Sequence, residues 1–155
     1  MTNWPVLLPL AAQAFASTVM VGVIWTMQLV HYPLFALVGR DAFALYERAH
    51  MSRITLIVAP MMFLELACAI WLVVRTPAGI PLWMPWLGLA MVVALWLSTA
   101  TLQGPTHARL AADFSEERVR FLVNTNWIRT ILWTARALLA IAMLIIASQH
   151  FGASE

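Results

Sequence analysis

PVLLPLAAQAFASTVMVGVIWTMQLV, residues 5–30, carries no charged side chain. It exceeds the ~20 apolar residues that an α-helix needs to cross a hydrocarbon core of ~30 Å. Three further stretches read the same way. Residues 54–74 are interrupted only by Glu65, residues 82–103 are uncharged, and residues 126–148 carry Arg129 and Arg136. In hydrocarbon each segment must satisfy its own backbone amides, so all four are expected as helices. The fold class that follows is an all-α membrane protein: an antiparallel bundle of four transmembrane helices in a single domain spanning residues 1–155.

Composition supports this reading. The chain has 155 residues, 63% of them hydrophobic and 10% charged, with a mean hydropathy of +0.84. A soluble fold of this size has too little interior to hide that much apolar surface. The pI near 9.3 comes from nine arginines without a lysine, and the net charge is only +2. No basic module stands apart from the apolar segments, so nucleic acid is not an expected partner. The lipid bilayer is. Cys68 is the single cysteine and lies inside an apolar run, which excludes an internal disulfide and a thiolate metal cluster. The first basic residue is Arg40, so residues 5–30 lack the basic lead of a cleaved signal and are expected to stay in the mature chain.

Arginine placement sets the topology. Arg40, Arg48, Arg53, Arg109, Arg118, Arg120, Arg129 and Arg136 fall in or beside the first and third connections, and only Arg75 falls on the opposite side. Under the positive-inside rule this bias makes both long connections cytoplasmic. The expected location is a bacterial plasma (inner) membrane, with both termini periplasmic. Trp4, Trp71, Trp83 and Trp86 then lie at the outer interface. Residues 75–81, RTPAGIP, form a tight turn built from breakers. Residues 31–53 place Phe35, Val38, Phe43 and Tyr46 at roughly helical spacing, and are expected as an amphipathic helix in the interface between the first two spans.

The polar residues of the spans gather toward the cytoplasmic side. Gln28 and His31 end the first segment, His50 and Arg53 precede the second, Gln103 and His107 end the third, and Asn126 and Arg129 open the fourth. Glu65 and Arg136 lie deeper; Glu65 is roughly 16 Å of helix rise past Ile54. A lone charge at such depth costs at least ~2.5–3.5 kcal/mol, so the two are expected to pair, either as a structural lock or as a catalytic proton- or anion-handling couple together with Arg129. Asn126, Arg129, Trp133 and Arg136 fall on one helical stripe. His31, His50 and His107 come from three different elements. Facing helices of bundles build metal and haem sites from such side chains, and the rival reading is three unrelated interfacial histidines. Neither di-iron nor zincin spacing is met. The expected site is one cavity with Glu65 and Arg136 as its floor and the histidines as metal-binding rim. Gln28, Gln103, Asn126 and Trp133 hold the cofactor, and Trp133 and Trp127 form its walls. The cofactor itself is left open between a metal ion and haem.

The pattern Gln28-x-x-His31-Tyr-Pro33, Phe43-x-x-Tyr46-x-x-x-His50, Glu65, Gln103-x-Pro105-x-His107-x-x-Leu110 and Asn126-Trp-Ile-Arg-Thr130-x-x-Trp-Thr-Ala-Arg136 resembles an uncharacterised group of small bacterial four-helix membrane proteins. The size and layout are also loosely similar to anthrone-oxygenase-like membrane proteins, without a shared motif. That second resemblance implies a lean toward redox chemistry, as an oxidoreductase or oxygenase acting on a small hydrophobic substrate. The rival classes are an accessory or scaffold subunit, working as a homo-oligomer or with a partner membrane subunit, and a small transporter.

Overall fold

The computed structural model describes residues 4–152 and is helical almost throughout, with no strand among the described residues. The first helix runs over Trp4–Thr26, passes through a π-helical turn at Met27–His31, and ends in the short turns Tyr32–Leu34 and Phe35–Leu37. The second is continuous over Arg40–Val74. The third spans Trp83–Ser98 and continues through a second π turn, Thr99–Gln103, into Gly104–Ala112. The fourth covers Glu116–Gly152. Each of the four is long and apolar enough to cross a membrane.

Three boundaries differ from expectation, the first being the third helix, which runs on past residue 103 to Ala112. Residues 31–53 do not make a separate helix: 31–37 finish the first helix, and 40–53 are the opening turns of the second. The chain breaks only at Val38 and Gly39, whose extended backbone interrupts the helix, and no breaker follows until Pro60. The fourth helix also starts ten residues before Asn126, at Glu116, because the charged stretch before it is itself helix-forming. The Trp4 side chain, expected in the outer aromatic belt, lies outside the described residues.

The first and third helices each pack against the second and fourth, closing a four-membered ring. Its interior is layered. Leu10, Leu72, Ile80, Met84, Met143 and Ala147 fill the end near the 75–82 turn. Met20, Ile24, Met62, Leu95 and Trp133 form the middle. Tyr32, Phe35, Phe43, Leu110, Val119 and Leu122 fill the opposite end. Leu8, Phe15, Leu29, Leu56, Phe63, Ile131 and Leu138 point outward and are exposed, an apolar coat that hydrocarbon would cover.

The two π turns share one cause. Tyr32 N–H bonds Met27 O and Gly104 N–H bonds Thr99 O, each reaching back five residues rather than four. The next residues are Pro33 and Pro105. A proline ring in a regular helix clashes with the carbonyl four residues earlier, and one extra residue in the preceding turn relieves it. That extra residue rotates everything beyond it by about a quarter turn. It brings Tyr32 on the first helix, and His107 on the third, into the interior.

Candidate functional site

Glu47 and His107 are the centre of the polar interior. Glu47 is fully buried on the second helix, and its Oε1 bonds His107 Nδ1. On the far side of the imidazole, His107 Nε2 lies 3.2 Å from the Tyr32 hydroxyl. The consistent assignment has Nδ1–H donating to the carboxylate and Nε2 accepting from the phenol. Arg129 adjoins the Tyr32 hydroxyl from the fourth helix. Its guanidinium carbon stands 5.0 Å over the Trp133 ring, a cation–π contact. The second pair of histidines lies alongside: His31 Nε2 and His50 Nδ1 are 3.0 Å apart, and Tyr46 OH is 3.5 Å from His31 Nε2. The His50 ring lies between the others, with centroids 4.5 Å from His31 and 5.5 Å from His107.

A cavity of ≈140 Å³ opens on this cluster. Tyr32, His50, Thr99, Gln103, His107 and Arg129 give it a polar end, and Val23, Ile24, Met27, Ile54 and Val58 an apolar one. Four buried polar atoms of its lining have no protein partner: His50 Nε2, Thr99 Oγ1, Gln103 Nε2 and Arg129 Nε. Of ten such atoms among the described residues these four share one cavity, and because unsatisfied buried groups are costly, that gathering marks a place where something else can supply the partners. A second cavity of ≈290 Å³ adjoins the outer side of the histidine pair and is lined by His31, Tyr46, His50 and Arg53.

The residues singled out from sequence do not converge on one cavity. His50, Gln103, His107 and Arg129 line the first cavity, and His31 lines the second. Gln28 and Asn126 meet each other instead. Gln28 Oε1 accepts from Asn126 Nδ2 at 2.9 Å and from Thr130, while Gln28 Nε2 donates to Val123 O at 3.1 Å. This is a cross-link of the first and fourth helices. Glu65 and Arg136 are not among the ion pairs of the described residues. Glu65 accepts from Ser17 and, at 2.9 Å, from Trp133 Nε1; Arg136 donates to Gln13 Oε1 at 2.7 Å. The first helix provides a hydroxyl and an amide one turn apart that the two charges bond, while Glu65 and Arg136 still act on each other through space and Arg136 Nε and Nη1 keep no partner. Trp133 is not among the residues that line the cavity; its ring faces Arg129 and its N–H bonds Glu65. Trp127 is no wall: it is 40% exposed and packs edge-on against Trp25 on the outer surface.

Glu47, Tyr32, Gln13 and Ser17 were missed by sequence reasoning. A signal existed for Glu47: contrary to the reading that no di-iron spacing is met, Glu47-Arg-Ala-His50 is one Glu-x-x-His pair, which places both residues on one helix face. Gln13 and Ser17, four residues apart, likewise share one helix face inside a charge-free span. Tyr32 had no such signal, because the π turn breaks the period. Among the described residues, no three His, Cys, Asp or Glu side chains are arranged to hold a metal ion as they stand. No protein family, curated protein or solved structure matches the chain.

Proposed function

We propose that the chain is a multi-pass protein of a bacterial inner membrane that binds a small molecule in the cavity beside His107 and moves a proton on it. The observation that carries this reading is the relay Glu47–His107–Tyr32, buried and ending on a cavity with unpartnered polar atoms. Glu47 fixes the imidazole with Nδ1–H toward the carboxylate. Nε2 is then a base facing the Tyr32 hydroxyl, and Arg129 beside that hydroxyl favours a developing phenolate. Tyr32 can thus pass its proton to His107 Nε2 and, as the phenolate, take one from a bound molecule, leaving an imidazolium held by Glu47. Redox chemistry on a lipid-soluble substrate is compatible with such a relay, which would supply its proton steps.

The arrangement supports an antiparallel bundle. His31 meets His50 while Ser17, earlier in the first helix, meets Glu65, later in the second. With the arginine bias, the relay lies in the cytoplasmic half and both termini are periplasmic. Reporter fusions at residue 78 and at the C-terminus should read periplasm, and one at residue 112 cytoplasm; a cytoplasmic C-terminus would reverse the assignment.

One observation favours a second reading. The centroid spacings of His31, His50 and His107, with Glu47 in contact with His107, would let modest side-chain rotations direct several of these groups at one metal ion. Elemental analysis and a visible spectrum of protein purified in mild detergent separate the two. The relay reading expects a colourless protein with far less than one metal per chain. A Soret band, or stoichiometric iron, copper or zinc, would replace it with the metal reading.

A further inference from the structure

We infer that the ≈140 Å³ cavity takes the carboxylate head of a lipid-soluble acid whose tail stays in the bilayer. This rests on the reading of that cavity as a binding site and names the class of its ligand.

The lining itself selects the head. Of the four unpartnered atoms, Gln103 Nε2 and Arg129 Nε can only donate, and His50 Nε2 and Thr99 Oγ1 can do either. None can only accept, so the missing partner brings acceptor oxygens. Arg129 decides its charge. The side chain is 6% exposed and belongs to none of the ion pairs among the described residues. The hydroxyl of Tyr32 and the face of Trp133 are its protein neighbours, and neither carries a full negative charge. A buried guanidinium in this setting is best completed by an anion, which it binds through short, charge-assisted hydrogen bonds.

Cavity size and position select the rest of the molecule. The volume lies below the ~300–1,000 Å³ of pockets that enclose whole ligands, so only a head group fits. Thr55 lines the cavity and is also exposed on the second helix, next to the exposed Leu56. Val23, Ile54 and Val58 give the same cavity an apolar lining. A tail leaving past Thr55 meets hydrocarbon. The same donors could hold the phosphate of a phospholipid, and the test separates these two sources.

The full chain is reconstituted in phosphatidylcholine nanodiscs and titrated with radiolabelled decanoate. Saturable binding of one decanoate per chain is expected, competed by octanoate but not by decanol. Arg129→Gln should weaken it about tenfold or more, the loss of a hydrogen bond to a charged group, and Gln103→Leu by about two- to tenfold. Helical circular dichroism identifies variants that fail to fold; if Arg129→Gln does, Gln103→Leu and Thr99→Val carry the test. The inference is overturned if no saturable binding occurs, if decanol binds as well as decanoate, or if the folded variants bind unchanged. It is also overturned if discs containing phosphatidylglycerol abolish decanoate binding, which would assign the site to a phospholipid phosphate. The bond from His107 Nδ1 to Glu47 does not involve the cavity ligand, so the tautomer can be read with or without decanoate. An Nδ1–H ring with no decanoate binding means that the ligand class is wrong and the relay stands; a ring without that proton means that the underlying reading has failed.

Discussion

Gly88→Val is expected to destabilise the protein by about 3–5 kcal/mol in chemical unfolding in detergent. A Cβ at Gly88 would lie 2.9 Å from Arg136 Nη1 and 3.5 Å from its guanidinium carbon. Arg136 is fully buried, so the guanidinium cannot swing out to water. Overpacking of this kind costs ~1–3 kcal/mol. Displacing the guanidinium also breaks its 2.7 Å bond to Gln13, and hydrogen bonds to charged groups contribute ~1.5–3 kcal/mol. Because the clash is with one named group, Arg136→Leu should partly rescue it. The double variant should be more stable than the sum of the singles by at least about 1 kcal/mol. Additivity within ~0.5 kcal/mol would mean that Gly88 and Arg136 do not touch.

Glu47→Ala is expected to cost about 3 kcal/mol. It removes the acceptor of the His107 Nδ1–H, a charge-assisted bond of ~1.5–3 kcal/mol, and leaves a hole that adds ~24 cal/mol per Å³. Glu47→Gln should cost less than about 1.5 kcal/mol, since its amide oxygen can still accept from Nδ1. Glu47 Oε2 has no partner in the wild type, so the second oxygen is not what holds the ring. Equal losses for the two variants would show that the carboxylate matters for its charge rather than for the bond that orients His107.

The four spans were legible because hydrocarbon imposes a length and a composition that survive any detail of packing. The gathering of His50, Gln103, His107 and Arg129 followed from arginine bias and the ends of the spans alone. Three features were not legible, for separate reasons. Tyr32 and His107 reach the interior only because Pro33 and Pro105 force an extra residue into the turns before them, which shifts the face that helical periodicity predicts. The Glu65–Arg136 pair was inferred from depth, but depth says only that a buried charge needs a partner. Ser17 and Trp133 answer Glu65 with dipoles, and Gln13 answers one of the Arg136 nitrogens, leaving Nε and Nη1 unpartnered. Glu47 sits in a stretch whose charged neighbours Arg48 and Asp41 are exposed, and its burial depends on the third helix returning alongside the second. Trp127 and Trp133, six residues apart on one helix, look alike in sequence and face opposite environments.

The most direct test of the account is the protonation of the His107 ring, read by ¹⁵N NMR of histidine-labelled protein in detergent and assigned by comparison with His107→Gln. The relay predicts a neutral ring with its proton on Nδ1, bonded to Glu47, and a bare Nε2 whose resonance shifts when Tyr32→Phe removes the phenol proton. The same Nδ1 proton should persist in Glu47→Gln. A neutral ring protonated at Nε2, a doubly protonated ring, or an Nε2 resonance indifferent to Tyr32→Phe would contradict the account, because His107 could then not act as the base for Tyr32.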